Sequence, residues 1–162
     1  MVLARFIDRD IEPQPTTDLV RVSITVVRFE EKTSADDSFL LPSFGDPYYV
    51  ITVDGQRHVT GPTFEGGARI LGGYFPIVFE IPADRQFVII EIQAWDSDFD
   101  LPDPLFDERY DISTTPGSDS TGLSILTVFD VMGGPATITG DGTLDGSDQG
   151  PQAAITVMIE AR

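Results

Sequence analysis

Cysteine is absent from the 162-residue chain and histidine occurs once, as His58, which excludes disulfides, thiol catalysis and the Cys-type zinc sites. Lysine also occurs once, as Lys32, so every other cation is an arginine. No apolar run approaches the roughly 20 residues that a membrane-spanning helix requires. The opening stretch Met1 to Ile7 breaks at Asp8, too short for the apolar core of a secretory signal, so a cytoplasmic location is the default expectation. No Gly-x-Ser-x-Gly elbow and no glycine-rich phosphate loop ahead of a helix is present. The chain therefore reads as non-enzymatic. Paired carboxylates of the glycosidase kind mean little in so acidic a sequence.

What the sequence has in excess is acid. Asp plus Glu number 27 against 10 Lys plus Arg, for a formal net charge of −17 and a pI near 4.1. Such a field repels phosphate backbones, which argues against direct nucleic-acid binding. Aspartate outnumbers glutamate 19 to 8, and Asp favours turns and cation sites where Glu favours helix. The length suits one ordinary domain, with residues 18–162 expected to form it and residues 1–17, holding Pro13 and Pro15, expected as an arm or edge strand.

With 15 Gly and 12 Pro spread throughout, no helical period survives three turns, while short β-branched runs recur at sandwich spacing. Leu19 to Phe29 is a half-buried strand, with Val20, Val22, Ile24 and Val26 on one face. Tyr48 to Val53 runs through Asp54-Gly55 into Gln56 to Thr60, a hairpin signal. Ile77 to Ile81 follows, then Phe87 to Trp95, whose Val88, Ile90, Ile92 and Ala94 make an unbroken apolar face. Further strands are expected at Arg109 to Ser113, Leu123 to Phe129, Ala136 to Thr139 and Ala153 to Glu160, and an edge strand at Val2 to Ile7. The polar tract Gly140 to Gln152 reads as loop, and His58 as a surface strand residue.

Between Trp95 and Arg109 stand Asp96, Asp98, Asp100, Asp103, Asp107 and Glu108, with no cation among them. Two carboxylates 4 Å apart repel by about 4 kcal/mol at an effective dielectric near 20, so such a loop is costly without a counter-ion. Calcium accepts six to eight hard oxygens in a tolerant geometry, whereas magnesium is stricter and zinc prefers nitrogen or sulfur. Ca2+ is thus the ion this chain is equipped to hold. A second acidic tract, Asp141 to Asp148, has half the look of a calcium loop but reads more simply as a hairpin connection.

Two motifs give this loop a context. Phe44-Gly45-Asp46-Pro47-Tyr48-Tyr49-Val50 opens one strand, and Ile92-Gln93-Ala94-Trp95-Asp96-Ser97-Asp98 closes a later one. In this order, with a hairpin between, they resemble the C2 domain, the calcium- and lipid-binding sandwich of eight antiparallel strands, over roughly Leu19 to Ile112. The resemblance implies an all-β, eight-stranded, antiparallel C2-like Greek-key sandwich. It implies Asp46 as a first-loop calcium ligand, Asp96 and Asp98 as bridging third-loop ligands and Asp103 as an outer one, for which Asp100 and Asp107 compete. Asp37, or its neighbour Asp36, is the nearest first-loop partner, across a loop longer than the family's usual. The family's Asn-Pro-x-Trp motif is reduced to Tyr74-Phe75-Pro76, and its lysine-rich headgroup strand has no counterpart.

Phe39, Leu40, Leu41 and Phe44 stand in the first of these loops and Phe99, Leu101, Pro102 and Leu105 in the third. In C2 domains such tips enter the bilayer once calcium has neutralised the loops; the alternative is a small core folded under a long loop. The expected function is calcium-dependent association with an anionic membrane surface, with Phe39, Leu40, Leu41, Phe99 and Leu101 as contacts. The alternative is a calcium-stabilised structural or protein-interaction module without lipid binding.

Overall fold

Alternating apolar and polar residues set the first strand, and a bulge then changes its phase. β1 (Leu19–Glu31) buries Val22, Ile24 and Val26 on one face. Its pairing slips between Val26 and Arg28, so the next inward residues are Phe29 and Glu31. One extra residue in a structure of period two has this effect. The computed structural model describes residues 18–32, 45–62, 70–72, 75–97, 107–114, 123–144 and 150–162.

The remaining strands are β2 (Pro47–Val53), β3 (Gln56–Val59), β4 (Ile70–Gly72), β5 (Ile77–Pro82), β6 (Phe87–Asp96), β7 (Arg109–Tyr110), β8 (Ile125–Asp130), β9 (Ala136–Asp141) and β10 (Ala153–Ala161). One sheet runs β4-β1-β10-β9, with β5 also on β1; the other runs β3-β2-β6-β7, with β8 also on β6. β5 pairs with Leu19 to Ile24 and β4 with Arg28 to Glu30, so the two are pieces of one lane along β1. β8 and β7 likewise share one lane along β6. The ten segments thus occupy eight lanes, antiparallel wherever named strands pair. This is the eight-stranded all-β sandwich that the sequence predicts.

The core lies between the sheets. Val22, Ile24 and Ile159 face Ile51, Ile90 and Ile92, all fully buried. Phe29 packs edge-on against Tyr49 and Tyr110, with ring centroids 5.9 Å and 5.1 Å away. Asp54 and Gly55 take φ of 45° and 83°, the successive positive values of a type I′ hairpin, as the Asp-Gly pair predicts. His58 is exposed on β3.

Two expectations need adjusting, and one short strand, β4, is unmarked in the sequence. The strand expected over Arg109 to Ser113 is two residues long, because at Asp111 the backbone turns to the other sheet, accepting from Ala153 N at 2.9 Å and donating to Pro151 O at 2.8 Å. Gly140 belongs to β9 rather than to a loop, its buried backbone lying so close to Ile112 O that a Cβ would collide. β4 is a strand of three residues ending at Gly72, too short to show a period. The expected edge strand at Val2 to Ile7 lies outside the described residues, as does the whole 1–17 segment.

Candidate metal centre

β2 and β6 run side by side with Pro47 opposite Asp96, which sets Asp46 and Asp96 next to each other at one end of the second sheet. The backbone N–H of Asp46 donates to Asp96 Oδ1 at 2.7 Å, and Ser97 N returns a bond to Asp46 O at 3.2 Å. Asp96 N donates to Glu108 O at 2.8 Å, tying the two roots of the acidic loop together. Both roots are buried: Ser97 on the way in and Asp107 on the way out. From the first sheet, the shifted phase of β1 turns Glu31 inward, where its Oε2 accepts Gly45 N at 3.2 Å.

Asp96 is 2% exposed, so its charge depends on what the protein supplies. The bond from Asp46 N fixes the orientation of its Oδ1. Gly45 makes the approach feasible, because a Cβ there would meet Asp96 Oδ1 and the Tyr110 hydroxyl. Gly45 and Glu31 are positions that sequence reasoning missed. Glycine before Asp-Pro was the available signal for the first; for the second, the β1 bulge hides the parity.

The outward side of the same end carries an aromatic ledge. Trp95 stacks on Tyr48 at 6.5 Å and 17°, and the Arg109 guanidinium lies 5.6 Å from the Trp95 ring centroid. Burial lowers the Arg109 pKa, opposed by the nearby charges of Glu91 and Asp111. Trp95 Nε1 donates to Gln93 Oε1 at 3.1 Å, and Gln93 Nε2 to Glu91 Oε1 at 2.7 Å, a polar run down the strand.

Of the residues expected as ligands, Asp46 and Asp96 lie side by side, joined by the bond from Asp46 N to Asp96 Oδ1. Asp37, Asp98 and Asp103 lie outside the described residues, as do Phe39, Leu40, Leu41, Phe99 and Leu101. Among the described residues, no group of three or more Asp, Glu or His side chains could by itself hold a metal ion. What is described is two carboxylates, Asp46 and Asp96, where two acidic loops begin, Asp96 deeply buried and oriented by a backbone N–H. That donor chemistry fits calcium and not zinc. In the second acidic tract, Asp141 Oδ1 accepts Thr143 N at 3.1 Å and its hydroxyl at 2.7 Å, the local cap of a turn.

No protein-family model and no curated protein matches the sequence. Solved structures do match. Human GIVD cytosolic phospholipase A2 aligns with a TM-score of 0.53 at 14% identity, over 90% of this chain but 17% of that one, so the chain spans about a sixth of that enzyme. A C2 domain of plant Extended Synaptotagmin 1 aligns at 0.53 and 15% identity, over 90% of this chain and 95% of that one. The calcium-bound pair of C2 domains of Extended-Synaptotagmin 2 aligns at 0.54 and 12% identity, over 90% of this chain and 45% of that one. At such identities the likeness is one of fold, and the fold is that of a divergent C2 domain.

Proposed function

We propose that this C2-fold chain is a non-catalytic calcium-binding module whose loop end associates with anionic membrane lipids when the ion is bound. The observation that carries the reading is the 2.7 Å bond from Asp46 N to Asp96 Oδ1, which joins the root of the first loop to the root of the third. Asp46 and Asp96 would hold the ion with Asp98, Asp103 and Asp37, and Asp100 or Asp107 would compete for the outer position. Bound calcium supplies neutralisation of these carboxylates and open positions for headgroup oxygens. The chain's part is to gather the acids on two tied loop roots and to flank them with Phe39, Leu40, Leu41, Phe99 and Leu101, each gaining about 25 cal/mol per Å² buried. One structural neighbour is described as calcium bound, which supports the ion. Residues 18–162 act as one module in this reading, with 1–17 as an arm, located peripherally at a membrane.

Sedimentation with anionic liposomes in calcium and in chelator tests the lipid reading. Binding is expected in calcium alone; no calcium-dependent pelleting sinks it. A thermal melt tests the ion separately, since a ligand at a hundred times its dissociation constant adds about 2.7 kcal/mol.

The second reading is a calcium-stabilised structural or protein-interaction module. The scarcity of lysine favours it. Lys32 is the only one, and its Nζ is tied to Glu30 Oε1 at 3.0 Å, with Arg28 Nη2 on the other oxygen at 2.8 Å. Melting that responds to calcium without liposome binding would select it.

A further inference from the structure

Far from the acidic loops, the outward face of the second sheet departs from the usual pattern. An antiparallel sheet packed on one side shows polar residues on the other. Here Phe87 and Ile89 of β6 and Leu126 and Val128 of β8 point outward and are 53%, 57%, 62% and 65% exposed. Ile89 lies directly opposite Val128, Phe87 opposite Asp130 and Leu126 opposite Glu91, so the four form one block. Met132, 79% exposed, continues it past the end of β8. A groove of about 370 Å³ runs beside Ile89 and Leu126 between Asp54, Arg85 and Glu91.

The rim identifies what such a face can receive. Asp54, Glu91 and Asp130 border the block, and on the same face stand Arg85, reaching Asp54 at 3.7 Å with a largely exposed side chain, and Arg57, opposite Thr52 on β3. The whole chain carries −17. A second copy would bring the same net charge, and an anionic bilayer would meet a chain of like sign. A cationic, apolar-faced protein segment is attracted by the net charge of the chain, meets Glu91 and Asp130 beside the apolar side chains and covers the block.

We propose that Phe87, Ile89, Leu126 and Val128 form a docking surface for a lysine- or arginine-rich amphipathic segment of a partner protein. Ile89 is about 23 Å from Asp96 along β6, at ~3.3 Å per residue, so the surface remains open while the loop end is engaged. The surface does not rest on the calcium reading.

The test compares the wild type with an Ile89→Thr, Val128→Thr double variant, which keeps β-branched shape and net charge. The probe is a short amphipathic leucine–lysine peptide, with a leucine–glutamate counterpart, titrated in calcium and in chelator. Expected are salt-sensitive binding of the lysine peptide in both conditions, about tenfold or more weaker in the double variant, and no binding of the glutamate peptide. An unchanged thermal midpoint shows that the variant is folded, and amide shifts on adding the peptide should map to β6 and β8. Equal binding by wild type and variant means that charge alone is responsible and overturns the proposal, as does binding of the glutamate peptide. Self-association lost in the variant would assign the face to a second copy. Liposome pelleting lost in the variant would assign it to a membrane. Either result also overturns the proposal, whereas loss of calcium-dependent pelleting on Asp96→Asn concerns only the loop end.

Discussion

Asp96 accepts the backbone N–H of Asp46 on Oδ1 at 2.7 Å, fifty residues away in sequence. The bond is short and its acceptor is buried, so it ties two loop roots without help from any ion. Whatever the loops later bind, their roots are already in register. Pre-ordering of this kind lowers the entropy cost of closing a site around a cation.

Asp96→Asn keeps an oxygen acceptor and removes the charge. Its fold stability in chelator should fall by about 1 kcal/mol or less. Asp96→Ala leaves the Asp46 N–H without its acceptor and should cost about 1.5–3 kcal/mol. Both should lose the calcium-induced rise in melting temperature. Denaturant melts in chelator and thermal melts with calcium separate the two effects, and a full calcium response in Asp96→Asn would remove this residue from the site.

Gly45→Ala tests the closeness of the same roots. The added methyl would collide with the Asp96 carboxylate and the Tyr110 hydroxyl, both buried. Overpacking of a filled site costs about 1–3 kcal/mol. The variant should also bind calcium more weakly, because relief of the clash moves Asp96. Gly61→Ala, where a Cβ meets nothing within 4 Å, is the matched control and should change neither property.

Acid sensitivity should trace in part to Glu30. The hydrogen bond from Lys32, aided by Arg28, holds its carboxyl below the ordinary value of 4.5. The unfolded chain therefore takes up this proton first, and the stabilising contribution is complete above that value and is lost as pH falls through the lowered one. Urea melts of wild type and Glu30→Gln should differ near neutrality and converge in acid. A difference that stays constant with pH would show that Glu30 is not responsible.

Much of the sandwich is legible in the sequence because its strands are marked twice, by apolar alternation and by turn chemistry. Phe87 to Asp96 and Ala153 to Ala161 alternate cleanly, and Asp54-Gly55 fixes the hairpin between β2 and β3. The pairing of Asp46 with Asp96 follows from two motifs that end on neighbouring strands. Less legible is whatever depends on a shift or a close approach. The bulge after Val26 turns Glu31 inward, and no local pattern announces it. Gly45 and Gly140 look like loop residues until the opposing Asp96 carboxylate and Ile112 carbonyl are seen. The outward Phe87 and Ile89 sit on the face opposite the core run, where alternation marks a side chain as outside without saying that it should be polar.

The sole tryptophan offers a direct optical probe of the loop end. Trp95 precedes Asp96, stacks on Tyr48 at 6.5 Å and lies under the Arg109 guanidinium at 5.6 Å. A change of charge at Asp96 alters the field at the indole, and any shift of the loop root alters its contact with Arg109. Intrinsic fluorescence should therefore change saturably with calcium and return on chelation. Asp96→Asn should abolish the response, and Ile89→Thr with Val128→Thr should leave it intact, because those positions lie at the far end of β6. Magnesium, which dehydrates reluctantly and demands a stricter octahedron, should act only at much higher concentration. A response of equal size to magnesium and calcium at equal concentration would point to simple charge screening around the acidic loop and against a site with calcium geometry.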